Sequence, residues 1–393
     1  MPLLSLPPRM HVLCLTTLFP NTAEPGLGVN VERQLTRLAA LPGVALTVVA
    51  PIPRLPYDVP VGRYRALGRV PRRDDSRPFP VYHPNYTSLP RVGWRFHHRT
   101  IWNAVRPLVR RLHRATPFDL VTGEYMFPDA MPVFRAARDL HLPYILKARG
   151  SDVRFWQSFT QPRRQMVGAG RHANGLLAVS ASLKRDMAAM GLPSERIAVH
   201  YTAVDLDRFS PDAAPRHARP TIVAAGNLVP LKRVDLIIDA LVHLEGVDLR
   251  IVGQGPERAA LERQVQAAGL GDRVTFLGRL GHEELAREFA SAHALVHASS
   301  SEGLANVWIE ALASGTPVVT TDVGGAREVV TPDVGRVVPP DISPLGLAAS
   351  VREVLAASFD PVAVREPAER FSWARNLDEL MRHYRRVTGQ GHG

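Results

Sequence analysis

Cysteine is almost missing from this chain, and long apolar runs are missing altogether. Cys14 stands alone in the apolar run 10–15, where a small residue suits a core strand, and without a second thiol an intrachain disulfide or a cysteine-ligated metal site is excluded. No apolar stretch approaches the roughly 20 residues that cross a bilayer. The opening segment lacks a basic leader and is broken by Pro2, Pro7 and Pro8, so neither export nor insertion is expected, and cytoplasmic residence is. Helix-turn-helix, zinc-finger and aromatic RNA-binding signatures are absent too, so nucleic acid is not an expected partner.

What is there is a basic globular chain. Its 393 residues exceed what one core usually serves, and 45% hydrophobic with 22% charged residues is an ordinary folded composition, so two domains are expected. The net charge of +11 is nearly all arginine, which suits phosphate or carboxylate recognition. The densest basic stretch runs from Arg91 through Arg95, Arg99, Arg106, Arg110 and Arg111 to Arg114, interleaved with Trp94, Phe96, Trp102, Leu108 and Val109. It reads equally as a peripheral contact with anionic lipid headgroups or as a solvated helix face whose apolar side packs on the domain.

Short apolar runs alternate with helical patterns along the chain. Residues 11–16, 45–50, 120–121 and 144–147 read as strands, with a helix over 31–41, and the proline- and arginine-rich stretch 51–90 reads as irregular surface. The pattern dissolves near residues 209–220 and restarts with strands at 221–225, 249–252, 274–277, 294–297 and 317–320. Val234, Ile237, Ile238, Leu241 and Leu244 form the apolar stripe of one helix, and Leu377, Leu380, Met381 and Tyr384 that of a final helix over about 374–388. Such alternation predicts an α/β fold with two Rossmann-like domains, 1–210 and 216–393.

In open parallel sheets, ligands sit where strands hand over to helices, and five such loops carry suitable residues. In PGLGVN, residues 25–30, Gly26 and Gly28 allow either a tight turn or close approach to an anion. In RGSD, residues 149–152, Ser151 or Asp152 can cap a helix, or Arg149 and Asp152 can reach phosphate and sugar hydroxyls. In GNLVPLKR, residues 226–233, Lys232 and Arg233 lie near a helix start, which disfavours cations unless an anion also binds, although solvated surface charges remain an alternative. GQGPE, residues 253–257, is a clean helix start. In HASSSEGLANVWIEALASGTP, residues 297–317, Glu302 lies in the loop, Asn306 is a natural N-cap and Glu310 sits about one turn into the helix. The two carboxylates can hold sugar and ribose hydroxyls while loop amides face a diphosphate, or simply stabilise the helix dipole.

These residues carry a resemblance. The second half resembles the family-4 retaining glycosyltransferases of GT-B type, which use UDP- or GDP-activated sugars. Their hallmark is a Glu, seven residues, a second Glu, and an ending Glu-Ala-hydrophobic-Ala-x-Gly-x-Pro-Val-Val, and residues 302–319 reproduce it. Gly226 to Lys232, LRIVGQGP at 249–256, VTFLG at 274–278 and the Gly324, Gly325 pair agree as well. In the first half the likeness is looser, covering 26–34, 150–152 and 204–211, and is greatest to enzymes building teichuronic-acid-type or exopolysaccharide chains in bacteria.

The resemblance implies two domains facing across a cleft, acceptor-binding first and donor-binding second, with the final helix packing back on the N-terminal domain. It implies that Lys232 neutralises the diphosphate, Glu302 binds the donor sugar, and Glu310 holds the ribose, with Gly303, Leu304, Ala305 and Asn306 completing the cradle. Lys232, Glu302 and Arg149 are then the expected catalytic residues. Gly28, Gly226, Asn227 and Arg233 join the donor side, and Gly26 and Asp152 the acceptor side. Three places depart from the family pattern. Asn227 stands where an arginine is usual, so Arg233 or Arg149 is expected to compensate; Arg149 stands where many relatives have histidine; and HYTAVD at 200–205 replaces a Val-Pro-Asn-Gly-Val-Asp pattern. The resemblance implies a front-face reaction on a glycan or lipid-linked acceptor, and since no His/Asp constellation suggests a metal, metal independence is expected, without cofactor. A GT-B isomerase, a pyridoxal-dependent phosphorylase and a non-catalytic nucleotide-sugar-binding module are the rivals, and the Glu302/Glu310 segment with Lys232 weighs against them.

Overall fold

The computed structural model describes residues 10–56, 62–89 and 92–389. Contacts divide the chain into two units, one holding the stretch through His200 together with the stretch from Leu377 onward, the other Tyr201–Asn376. The proline-rich link at 211–215, expected as the boundary, therefore lies inside the second unit. The chain is already anchored there before it: Val204 bridges to Ser372, Phe209 packs on Phe289, and Arg365 donates to the carbonyls of Leu206 and Phe209.

The first unit is built on β1 (Met10–Leu15), β2 (Val44–Val49), β3 (Ile52–Arg54), β4 (Arg73–Asp74), β5 (Val81–Tyr82), β6 (Asn85–Thr87), β7 (Leu120–Gly123), β8 (Tyr144–Ala148), β9 (Gly175–Ala178) and β10 (Ile197–Val199). Eight of these form one sheet in the order β10-β9-β8-β7-β1-β2-β5-β4, parallel except for the β4/β5 edge, while β3 and β6 pair separately. Central strands such as β7 and β8 are buried throughout, as continuous apolar runs in a sheet covered on both faces must be. The stretch 51–90 is more regular than its composition suggests. It supplies four short strands and the helix Arg63–Leu67, because isolated apolar residues such as Phe79 and Val81 reach the core without making a visible period.

The basic stretch becomes the helix His97–Ala115. Ile101, Val105 and Val109, four residues apart, are buried, and Arg106 and Arg110 pair with Asp139 of the helix Ala130–Leu140. One face is therefore packed on the domain; Arg91 lies outside the described residues. The final helix, Trp373–Thr388, returns to the first unit, where Leu377, Leu380, Met381 and Tyr384 join Val12, Leu35 and Leu38 in one core.

The second unit carries β11 (Thr221–Ala225), β12 (Asp248–Val252), β13 (Val274–Gly278), β14 (Ala294–His297), β15 (Val318–Thr321) and β16 (Gly335–Val338), all parallel, in the order β13-β12-β11-β14-β15-β16. This is the doubly wound order in which the direction of succession reverses between β11 and β14. The helix Val234–Leu241 packs on the sheet through the expected stripe, with Val234, Ile237, Ile238, Leu241 and Leu244 all buried. Among the described residues no helix is long and apolar enough to cross a membrane.

Leu380 is fully buried where the final helix seats on the first unit. Leu380→Ala should destabilise that unit by roughly 2–5 kcal/mol, read as a lowered midpoint in denaturant unfolding, while the exposed-face change Arg385→Ala should cost under about 0.5 kcal/mol.

Candidate functional sites at two sheet crossovers

An open parallel sheet leaves a crevice beyond its strand ends where the succession reverses, since the helices on either side leave to opposite faces. In the second unit this point lies between the loops that follow β11 and β14. The two loops are tied together: Ser300 N donates to the Leu231 carbonyl (2.9 Å), and Ser299 Oγ donates to the same oxygen (3.1 Å). That tie sets Lys232 beside Glu302, and Lys232 Nζ forms an ion pair with Glu302 Oε1. The cation near a helix start thus has its anion within the protein.

The glycines hold the loops in place by close backbone approach. Gly226 (φ 148°) and Gly253 (φ 144°) adopt a conformation that side chains rarely take, and a Cβ on Gly253 would run into the Gly226 carbonyl. Gly324 (φ 60°) lies under the Glu302 carbonyl, and Gly325 N donates to the Gly303 carbonyl (3.0 Å), clamping the Glu302 loop from below.

Three expected placements change. Asn306 is not the N-cap: Ala305 occupies that position in extended geometry, and Asn306 opens the helix Asn306–Ala313 with no side-chain cap. Leu304 and Ala305 are buried, which pins the chain one residue short of the expected entry. An α-helix leaves its first N–H groups without intrahelical acceptors, so this start keeps donors for an anion. Arg233 adopts a left-handed backbone (φ 47°) and donates to the Pro340 carbonyl, so part of its guanidinium is engaged within the unit. Asn227 is exposed, its carbonyl closing a turn with Val229 N (2.9 Å). Glu310 lies on the fifth residue of its helix and is buried.

His297, given no role by the sequence reading, proves to be part of this site. It ends β14, fully buried, and Trp308 Nε1–H donates to its Nδ1 (3.1 Å). Indole is a donor only, so the proton of the neutral ring is on Nε2, which faces Glu302 Oε1 at 3.5 Å. Burial pulls the His297 pKa down to about 4, with Glu302 opposing and Lys232 assisting. Glu302 therefore sits between a cation and a neutral imidazole.

The first unit repeats the arrangement between β1 and β7. Asp129, fully buried, accepts from Thr16 Oγ1 (2.9 Å), Thr17 N (2.9 Å) and Thr17 Oγ1 (2.8 Å), binding the β1 loop to the β7 loop. Burial lifts its pKa to about 7 against those donors. Asp152, also fully buried, accepts from Met126 N (2.7 Å), Gly150 N (2.7 Å) and Arg149 N (3.0 Å). It is consumed in holding the β7 and β8 loops together and does not reach outward to an acceptor. Arg149 pairs with buried Glu124 and leans on Gln34 Oε1 (3.5 Å), so its charge is met within this unit. Gln34 Oε1 also takes Lys147 Nζ (2.8 Å), whose burial pushes its pKa well below the usual lysine value.

Gly28 caps the helix Val29–Ala39 in left-handed geometry (φ 70°), and a Cβ there would strike the Leu18 carbonyl, so its close approach is to the chain itself. Gly26 is exposed in the same loop, whose Glu24 and Leu27 line a cavity of about 260 Å³ with Tyr86, Phe127 and Trp156. No pattern in the sequence marked this cavity, because its walls come from seven separate segments.

The His297 shift has a stability consequence. A folded pKa below the unfolded value of about 6.5 means that the unfolded chain takes up the proton first, so the contribution is present above pH 6.5 and lost as pH falls toward 4. Between pH 7.5 and pH 4.5, wild type should lose roughly 2–3 kcal/mol more than His297→Gln in urea unfolding, and equal losses would contradict the assignment.

Known proteins agree with this architecture. The sequence model of Glycosyltransferase Family 4 matches residues 26–208, and that of glycosyl transferases group 1 matches residues 207–372. A Bacillus subtilis protein assigned to teichuronic acid biosynthesis, the glycosyltransferase TuaC, is 28% identical over 343 residues, covering 81% of this chain and 83% of its own. Among solved structures, sucrose-phosphate synthase from Thermosynechococcus elongatus superposes with a TM-score of 0.77 at 21% identity, over 97% of this chain and 100% of that one. Anabaena HepE in complex with UDP gives 0.72 at 20% identity, over 95% and 98%. With two doubly wound units, and the two sequence models meeting end to end across residues 26–372, the chain belongs to the family-4 glycosyltransferases of GT-B type.

Proposed function

We propose that the protein transfers a hexose-type sugar, with retention of anomeric configuration, from a UDP- or GDP-sugar to a glycan or lipid-linked acceptor in cell-surface polysaccharide synthesis. The observation that carries this reading is the Lys232–Glu302 pair at the β11/β14 crossover, beside an uncapped helix start. A diphosphate entering there competes with Glu302 for Lys232 and meets the amides of residues 303–306. Glu302, released from the cation, accepts hydroxyls of the donor sugar, and Glu310 those of the ribose. HepE, a neighbour in fold, binds UDP, which supports a nucleotide at this kind of site.

In the reaction, the bond from the anomeric carbon to the diphosphate oxygen breaks, the acceptor oxygen bonds to that carbon on the same face, and the acceptor proton passes to the leaving phosphate. Negative charge grows on the diphosphate, and Lys232 is the residue placed to stabilise it, so no divalent ion is required. His297 stays neutral beside Glu302, its Nε2 3.5 Å from Oε1, and so adds no charge to the site.

The lipid-linked part of the reading draws on the surface of the first unit. Leu89, Val92, Phe96, Phe155 and Phe159 are exposed, and Trp94 joins Phe159 (5.6 Å) beside Arg95 and Arg99. Aromatic groups rimmed by arginines suit the headgroup region of an anionic bilayer.

Thermal shift with UDP, GDP, ADP and their sugars should show selective stabilisation by one nucleotide series, weakened in Glu310→Ala. Lys232→Ala should lower kcat by about 10²–10³-fold with EDTA leaving wild type unaffected, and NMR of the product should show the donor's anomeric configuration. Silence to every nucleotide, or sugar interconversion without acceptor, would refute the transferase reading. Flotation with anionic vesicles should carry wild type upward at low salt, and Phe155→Ser/Phe159→Ser should stay at the bottom of the gradient.

A further inference from the structure

A groove of about 460 Å³ runs along the exposed face of the helix Thr160–Gly170, and it shares no residue with the cavity between β1 and β7. Arg163, Arg164 and Arg171 line it, and among the described residues no carboxylate does. None of the three forms an ion pair among the described residues, whereas Arg154, just before them in the chain, pairs with Asp186 (2.8 Å). Like charges gathered in a concave site raise its potential and draw an anion in.

Two of these guanidinium groups are held in place. Arg163 donates through Nε (3.4 Å) and Nη2 (3.2 Å) to the Met190 carbonyl, and Arg171 through Nε (3.3 Å) to the Gly191 carbonyl, at the end of the helix Ala181–Met190. A helix C-terminus attracts cations, so both arginines have a packing role there. That role does not extend to Arg164, which is exposed and makes no hydrogen bond within the described residues. Nor does it exhaust the other two. Arginine has five N–H donors, of which Arg163 spends two and Arg171 one, and a carbonyl neutralises no charge. The floor is open at Gly168, where a Cβ would meet nothing within 4 Å, and Thr160 adds a hydroxyl at one end.

A phosphate group answers this arrangement, since it brings several acceptor oxygens and pairs in bidentate fashion with guanidinium, whereas a carboxylate's two oxygens leave most of the donors unused. The volume lies within the ~300–1,000 Å³ of small-ligand sites, with room for a phosphate and a small organic substituent. We infer that this groove is a binding site for a phosphate ester, separate from the β11/β14 crossover. A phospholipid headgroup and a free phosphate ester share that chemistry. Exposed Phe155 and Phe159, whose ring centroids lie 5.6 Å apart, flank the groove residues Ser158 and Thr160 in the chain and favour the headgroup. The lipid source rests on the membrane contact proposed above; the phosphate site does not.

Glycerol 3-phosphate, titrated into the full chain and followed by the line width of its phosphorus NMR signal, tests the site. Arg164→Glu should weaken binding by about tenfold or more, the loss of one charge-assisted hydrogen bond, while the same reversal at exposed Arg263 of the second unit should change it by under about twofold. Binding should persist in Lys232→Ala, which removes the cation of the other site, and an unchanged urea midpoint shows that each variant is folded. In flotation, phosphatidylcholine vesicles carrying phosphatidic acid should recruit wild type more than vesicles carrying oleate at matched surface charge, and Arg164→Glu should lose that preference. A preference for phosphatidic acid assigns the site to a headgroup; a soluble signal without it assigns the site to free phosphate esters. If Arg164→Glu behaves as Arg263→Glu does in both arms, or if binding disappears with Lys232 rather than with Arg164, the inference is overturned. Nucleotide stabilisation and flotation of the phenylalanine variants would still report on the transferase and membrane readings.

Discussion

The reversal of strand succession between β11 and β14 is the constraint on which the second unit's chemistry depends. Helices that follow neighbouring strands normally cover the ends of those strands on one face. Where succession reverses, they part, and backbone amides with loop side chains are left facing a crevice. Lys232 and Glu302 are 70 positions apart in the chain, and they meet because their loops leave adjacent strands at that point. The serine contacts to the Leu231 carbonyl and the glycine clamp under Glu302 then fix the pair to the sheet rather than to mobile loops.

The first unit solves the same geometric problem with buried carboxylates. Asp129 and Asp152 spend their oxygens on backbone and threonine donors, and so pull the ends of the β1, β7 and β8 loops together. A carboxylate removed from water is tolerated only when donors surround it, and here each has three. The outcome is a rigid rim around the cavity, with Trp156 and Tyr125 carried on the loops that the two aspartates hold. Polar residues that a motif would mark as ligand groups are here the framework, and the aromatic residues near them form the walls.

Each unit also carries buried polar groups beneath its own site. Arg149–Glu124 with Gln34 and Lys147 underlies the first, while His297 with Trp308 underlies the second. In low dielectric such groups are stable only as pairs or in their neutral forms. His297 takes the neutral form, and its indole partner decides which nitrogen points at Glu302.

Local pattern settled much of this in advance. Strands such as 294–297 and 221–225 were legible because a strand buried on both faces is a continuous apolar run, and the helix at 234–241 because its stripe repeats at helical spacing. The meeting of Lys232 with Glu302 beside a helix start was anticipated only in its residue types, because charged groups at loop and helix starts stand out locally. By contrast, the true end of the first unit, the structural duty of Asp152 and Gly28, the bond of Arg233 to Pro340 and the placement of His297 depend on what packs against each residue from distant parts of the chain. The sequence alone determined the doubly wound units and the residue types at the β11/β14 crossover, since periodicity and loop chemistry are local. The tertiary structure alone decided which charges are spent inside the protein and which remain for a ligand, because pairing and burial are set by neighbours that sequence distance does not reveal.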